Sequence, residues 1–117
     1  MEFYDRTGTP TCYLDDDEHI YLWNGIPVGY LYEAKVYSFA GRQLGWFSDG
    51  WLYDRSNHPA LFSEAATGGP IKPIRKIKPV KGIKKVRPIK SVRAVAIVRS
   101  VRSINWSDVS DFSYFEQ

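Results

Sequence analysis

The chain has 117 residues, 44% hydrophobic and 15% aromatic, and carries 16 Lys+Arg against 13 Asp+Glu for a net charge of +3. That suffices for one folded domain with an appendage, and no apolar run approaches the ~20 residues of a membrane-spanning helix. The opening Met1-Glu2-Phe3-Tyr4-Asp5 has neither the cationic start nor the apolar stretch of a secretory leader, and the lone Cys12 excludes an internal disulfide, so the expectation is a soluble cytoplasmic protein.

Residues 1–67 divide into four similar units. They begin at Phe3-Tyr4, Ile20-Tyr21, Val36-Tyr37 and Leu52-Tyr53, with spacings of 17, 16 and 16. Four residues after each Tyr stands Gly8, Gly25, Gly41 or Asn57, then Pro10, Pro27, Gln43 or Pro59, then the aromatics Tyr13, Tyr30, Trp46 and Phe62. Such self-similarity sets the architecture. Each unit reads as a β-hairpin whose loop, for example Asn24-Gly25, places Gly or Asn where positive φ is required. With a two-residue loop, Trp23 faces Ile26, Leu22 faces Pro27 and Tyr21 faces Val28, while Pro10 stands opposite Asp5 and Pro59 opposite Asp54. The prolines withhold an N–H from neighbouring hairpins, so the tips are expected to splay. Four hairpins predict a ring of petals about a pseudo-fourfold axis, with the Tyr and aromatic positions packed centrally. A head this small buries only roughly 60% of its unfolded surface; the rest of the chain, or a second subunit, is expected to complete it.

Several residues have reactive chemistry, and each has a plainer reading. Asp15, Asp16, Asp17 and Glu18 lack the ligand spacing of a calcium loop and read as a solvated turn that receives the basic tail. His19 and His58 have no second ligand at metal-binding spacing. Cys12 suits a buried small residue better than a nucleophile. Gly68-Gly69-Pro70, with no Lys-Ser/Thr after it, is a hinge rather than a phosphate loop. The sequence therefore predicts no catalytic set, no metal and no cofactor.

Beyond the hinge, an aliphatic residue recurs at every third position from 71 to 104: Ile71, Ile74, Ile77, Val80, Ile83, Val86, Ile89, Val92, Val95, Val98, Val101 and Ile104. The next position is nearly always basic: Lys72, Arg75, Lys78, Lys81, Lys84, Arg87, Lys90 and Arg93, then Ala96, Arg99, Arg102 and Asn105. A period of three is neither that of a strand nor that of an α-helix. It fits polyproline II, which Pro73, Pro79 and Pro88 favour. A helix over Ser91–Ser103 is the weaker alternative, because three-residue spacing drifts around a helix. Charge divides the same way: residues 1–70 hold four basic and ten acidic residues, residues 71–117 twelve and three. Head and tail should attract each other. The last segment, 105–117, changes composition, and Trp106, Phe112, Tyr114 and Phe115 look like an anchor, with Ser107 or Asp108 placed to cap a short helix.

The run IYLWNGIPVGYL…VYSFAGRQLGWFSDGWLYDRS, the tail GGPIKPIRKIKPVKGIKKVRPIK and the closing INWSDVSDF resemble the bacterial 4-fold beta flower domain proteins over nearly the whole chain. Gln43 in place of the turn proline and Ser56-Asn57 in place of a Gly-bearing loop are small departures. The resemblance implies a short barrel of four β-hairpin petals and supplies no catalytic residues.

The expected fold is thus all-β: a four-hairpin head over 1–67, a hinge at 68–70, a period-three tail over 71–104 and an aromatic anchor over 105–117. The expected role is non-enzymatic binding or scaffolding, with the tail's aliphatic edge docking on the head or on copies of itself to form a homo-oligomer while Lys and Arg stay solvated. At ~3.1 Å per residue the tail spans roughly 100 Å, too long for one small head to cover fully. The alternative is a polyanion-binding module for nucleic acid or anionic lipid, using the Lys/Arg edge from Lys72 to Arg93.

Overall fold

The computed structural model describes residues 1–117. Eight short strands form one closed antiparallel barrel in chain order: β1 (Glu2–Tyr4), β2 (Pro10–Asp15), β3 (His19–Leu22), β4 (Pro27–Tyr32), β5 (Lys35–Tyr37), β6 (Gln43–Ser48), β7 (Trp51–Tyr53) and β8 (Pro59–Ser63). Strand β8 returns to β1 through Phe62↔Tyr4 and Phe3↔Ser63. Closure leaves no unpaired sheet edge. Residues 64–111 contain no helix or strand, and a 3-10 helix spans Phe112–Glu116.

The hairpin tips have three-residue loops, not the two-residue loops expected. Gly25 N–H donates to Leu22 O at 2.9 Å, and Leu22 N–H to Ile26 O at 2.8 Å. The same pair of bonds recurs over Asp5–Thr9, Ser38–Arg42 and Asp54–His58. This is a type I turn closed by one left-handed residue, and Gly8, Gly25, Gly41 and Asn57 supply it with φ of 82°, 92°, 95° and 63°. A bulge follows in every hairpin. Ile20 pairs with Gly29 and Tyr21 with Pro27, leaving Val28 as the extra residue. Tyr21 therefore faces Pro27 and not Val28, and Tyr4 and Tyr53, not Asp5 and Asp54, face Pro10 and Pro59. Turns at the opposite end join successive hairpins. Glu33-Ala34 and Asp49-Gly50 are two-residue loops with both φ positive, whereas the first carries three residues between Asp15 and His19. That extra residue accounts for the spacing of 17 in a series of 16.

The bulge decides which face each residue takes. Phe3, Ile20, Val36 and Leu52, opposite Cys12, Gly29, Gly45 and Leu61, point into the barrel. Tyr4, Tyr21, Tyr37 and Tyr53 alternate outward, paired with Phe62, Tyr13, Tyr30 and Trp46 of the adjoining strand. The expected central aromatic cluster is thus corrected. So short a barrel has room for one layer of mostly aliphatic side chains, and the rings lie in seams on the outer wall. Tyr13 stacks on Tyr21 at 5.8 Å and Tyr30 on Tyr37 at 5.9 Å.

Besides Phe3, a ring from the C-terminal segment enters the core. Tyr114 is completely buried, and its hydroxyl donates to Tyr53 O at 2.8 Å. Glycine at two of four equivalent interior positions makes the space: a Cβ on Gly45 would lie 2.8 Å from the Tyr114 hydroxyl, and one on Gly29 3.9 Å from Phe115 Cδ1. Ser110 Oγ donates to Ala60 O at 2.6 Å, and Gln117 Nε2 to Leu44 O at 2.6 Å, fixing the segment across the tip end of the barrel. The helix is capped by Asp111, which accepts from Ser113 N–H at 2.8 Å, and not by Ser107 or Asp108. Ser107 instead donates to Asp54 in a buried bond. Of the four expected anchor aromatics, Phe112 alone is exposed.

Candidate functional site

Residues 71–104 encircle the barrel as an extended collar, neither helix nor strand. The alternative of a helix over Ser91–Ser103 is overturned: Ser91, Ala94 and Ser103 send their N–H groups to the head. The register is regular. Lys76, Lys85, Ala94 and Ser103 donate to the O atoms of Gly8, Gly25, Gly41 and Asn57 at 2.9, 2.9, 2.8 and 3.1 Å. Nine residues of collar thus answer one hairpin of the head. Prolines occupy positions in the same edge, at 73, 79 and 88, where no N–H is used, and Pro79 O accepts from Trp23 Nε1 at 2.8 Å. Glycine at the tips is required twice over, by positive φ and by proximity. A Cβ on Gly8, Gly25 or Gly41 would sit 2.2, 2.1 or 2.2 Å from the carbonyl oxygen of Ile74, Ile83 or Val92. Asn57 uses its amide instead, donating to Ser100 O at 2.7 Å.

The basic edge faces the aromatic seams with the same nine-residue step. Lys72, Lys81, Lys90 and Arg99 lie over Trp51, Tyr13, Tyr30 and Trp46 at 6.0, 4.5, 4.5 and 5.2 Å. Arg75, Lys84, Arg93 and Arg102 lie over Tyr4, Tyr21, Tyr37 and Tyr53 at 5.7, 5.9, 5.9 and 4.6 Å. Each such contact contributes about 0.5–1 kcal/mol at a partly exposed site. Carboxylates of the head complete the pairing. Glu2 meets Lys78 at 2.9 Å and Lys81 at 2.7 Å, Asp15 meets Lys84 at 3.1 Å, Asp16 meets Arg87 at 3.6 Å, and Glu18 pairs with Lys90. The acidic run 15–18 therefore does receive the basic tail. Hydrogen bonds from Lys78 and Lys81 hold the Glu2 carboxyl below its ordinary range, and Lys90 does the same for Glu18.

With two edges turned to the head, the third turns away. Eleven aliphatic residues from Ile71 to Val101 are each 91–96% exposed, and Ile104 is 74% exposed. This reverses one expectation: the aliphatic edge does not dock on its own head, and Lys and Arg do. Cations find aromatic faces and carboxylates on the wall, while apolar side chains would meet only an already paired surface. The length argument is corrected as well. Roughly 100 Å of chain at ~3.1 Å per residue is the circumference of a circle about 32 Å across, and the molecule measures 36 × 36 × 21 Å. The tail makes one full turn. Its ends meet at Trp51, which lies 6.0 Å from Lys72 Nζ and 5.5 Å from the Trp106 ring.

The other singled-out residues fall into structural places. Cys12 is a buried free thiol whose pKa is raised by burial. His19 is buried with Nδ1 3.0 Å from Asp16, and His58 lies 3.9 Å from Asp54. Gly68 and Gly69 both take positive φ, 69° and 72°, at the departure of the collar. No three His, Cys, Asp or Glu side chains gather as metal ligands, and no helix is long and apolar enough to cross a membrane. The nine-residue register was missed in the sequence although it left a signal: Pro70, Pro79 and Pro88 are nine apart, as are Gly82, Ser91 and Ser100.

No curated protein and no solved structure matches the chain. A family model does, that of the 4-fold beta flower protein, over residues 1–115. The match takes in the hairpins, the collar and the Tyr114 segment together, and the chain belongs to the 4-fold beta flower family.

Proposed function

We propose that this is a non-enzymatic binding or scaffolding protein of the bacterial cytoplasm that self-associates through the aliphatic edge of its collar. In this reading the head is a flower of four petals about a pseudo-fourfold axis, and the collar is a polyproline II-like band that frames it. The observation that carries the proposal is the near-complete exposure of the aliphatic residues from Ile71 to Val101. On a scale of about 1.5–3 kcal/mol per fully buried Val or Ile, they hold on the order of 1,000 Å² of apolar surface. Summed around the whole rim, that exceeds the ~300–600 Å² of the largest contiguous apolar patch on an ordinary monomer. Such a surface calls for a cover, and a second copy presents the same one.

The polyanion alternative has less support. Of the eight basic residues on which it rests, Arg75, Lys78, Lys81, Lys84, Arg87 and Lys90 pair with carboxylates of the head, and Lys72 and Arg93 lie over rings. A polyanion would have to displace those partners.

The test is light scattering on two full-length variants in low and high salt. Truncation at residue 69 is unsuitable because it removes Tyr114 from the core. Changing Ile77, Ile83 and Ile89 to Ser is expected to lower the native mass with the fold intact by circular dichroism. Changing Lys78, Lys81, Lys84 and Arg87 to Gln is expected to leave association in place. An unchanged mass in the aliphatic variant, or loss of nucleic-acid or anionic-vesicle binding in the basic one, would overturn the reading.

A further inference from the structure

The shape of the collar constrains what self-association can build, and this step rests on the reading just proposed. A patch on one side of a molecule is satisfied by one partner. Here the apolar edge runs the full circumference, because both ends of the collar reach Trp51. It also lies on the rim of a flat body, 36 Å across in two directions and 21 Å in the third. A nine-residue step of collar advances one hairpin, as the bonds from Lys76, Lys85, Ala94 and Ser103 establish. Three quarters of the rim therefore display an unbroken outward triplet, such as Ile83, Val86 and Ile89 or Val92, Val95 and Val98, all more than 90% exposed. The fourth is completed across the junction of the collar's ends by Val101, Ile104 and Ile71, with Ile104 74% exposed.

Two convex rims in one plane touch over about one such quarter. A dimer leaves three quarters of the apolar edge in water, and stacking the flat faces covers none of it. A flat bilayer meeting the disc edge-on also reaches only one sector of a rim whose aliphatic side chains are exposed around the whole circumference. The cations that follow the aliphatic positions are held by carboxylates and rings of their own head, which leaves Lys76 and Lys85 as the charges beside the edge that no carboxylate of the head pairs. We propose that the chain assembles edge to edge into an open planar layer in which each disc meets four neighbours through the repeated collar triplets. A heterologous contact that does not close grows without limit. The cover for one quarter is another copy's quarter, and four of them complete the rim.

The experiment uses the full-length protein, with sedimentation across a concentration series and negative-stain electron microscopy of the heaviest fraction. Mass is expected to rise with concentration without a plateau. The particles should be sheets one disc thick, with a repeat of about 45 Å, the 36 Å body plus ~10 Å of packed side chains. Changing Val92, Val95 and Val98 to Ser removes one quarter of the rim without touching the head. It should turn sheets into narrow strips, with at least about a twofold drop in average mass. A fixed dimer or tetramer at all concentrations, or rods built by face stacking, would overturn the layer and leave self-association standing. A monomer throughout, or flotation with phosphatidylglycerol vesicles in place of self-assembly, would overturn both.

Discussion

Tyr114 and Gly45 occupy each other's space: the tyrosine hydroxyl lies 2.8 Å from where a Gly45 Cβ would stand, and it donates to Tyr53 O at 2.8 Å. The C-terminal segment is therefore part of the barrel core. Tyr114→Phe leaves a buried carbonyl without its donor and is expected to cost about 1–2 kcal/mol. Tyr114→Ala adds a cavity and should cost about 3–5 kcal/mol. Urea denaturation of the full chain measures both, and a Tyr114→Ala variant as stable as the parent would refute the assignment.

The collar depends on tip glycines. Gly25→Ala combines a φ of 92° with a Cβ 2.1 Å from Ile83 O, so the band must lift at that tip. The parent is expected to resist trypsin despite its many Lys and Arg, because the collar backbone is tied to each tip. The variant should be cut first at Lys84 or Lys85, at a rate at least about tenfold higher by mass spectrometry. Equal cleavage in the two proteins would mean the tie at Gly25 carries no weight.

Acid should loosen the collar. Glu2 and Glu18 titrate below the ordinary carboxylate range in the fold, through hydrogen bonds from Lys78 and Lys81 and from Lys90. A depressed folded pKa contributes stability that is present above the unfolded value, near ~4.3, and is lost as pH falls through the folded one. The urea midpoint should accordingly fall between about pH 5 and pH 3, and Glu2→Gln should flatten part of that fall. Since the pairs lie at the surface, 1 M salt should also weaken them.

Cys12 is wholly buried and its thiol is pushed up by burial. Native protein should react negligibly with a thiol-specific disulfide reagent at pH 8, and one thiol per chain should appear in denaturant. Fast labelling of the native state would place Cys12 at the surface.

The two aliphatic sets should respond in opposite ways. Ile77→Ala touches a side chain 95% exposed and should alter monomer stability by less than about 0.5 kcal/mol. Leu52→Ala, fully buried in the barrel, should cost about 2–5 kcal/mol. Thermal melts at a concentration that keeps the protein monomeric separate the two.

Much of the fold was legible because repetition is visible without coordinates. The fourfold spacing of Tyr4, Tyr21, Tyr37 and Tyr53, with Gly or Asn four residues on, gave the hairpins and their left-handed tip residues. What misled was one residue of loop. The third loop residue moved Tyr21's partner from Val28 to Pro27, and alternation beyond the bulge at Val28 turned the aromatic positions to the outer wall. In the candidate site the three edges of the tail were legible, but which edge faces the head was not. Ala96 illustrates why. It interrupts the basic series nine residues after Arg87, at the hairpin where Lys35 stands in place of Glu2 of the first. That substitution has meaning only once the collar is laid on the head.

The sequence by itself determined periodicities: sixteen or seventeen residues in the head, three in the tail, and opposite charge in the two. Periodicity specifies local geometry, because turns and rises repeat with the residues that make them. Only the tertiary structure decided that nine tail residues span one hairpin, that the cations turn inward and the aliphatics outward, and that Tyr114 fills the barrel. Those outcomes depend on circumference, on which face of a strand a bulge exposes, and on two glycines that leave room. They are relations between residues far apart in the chain, set by how closed surfaces fit.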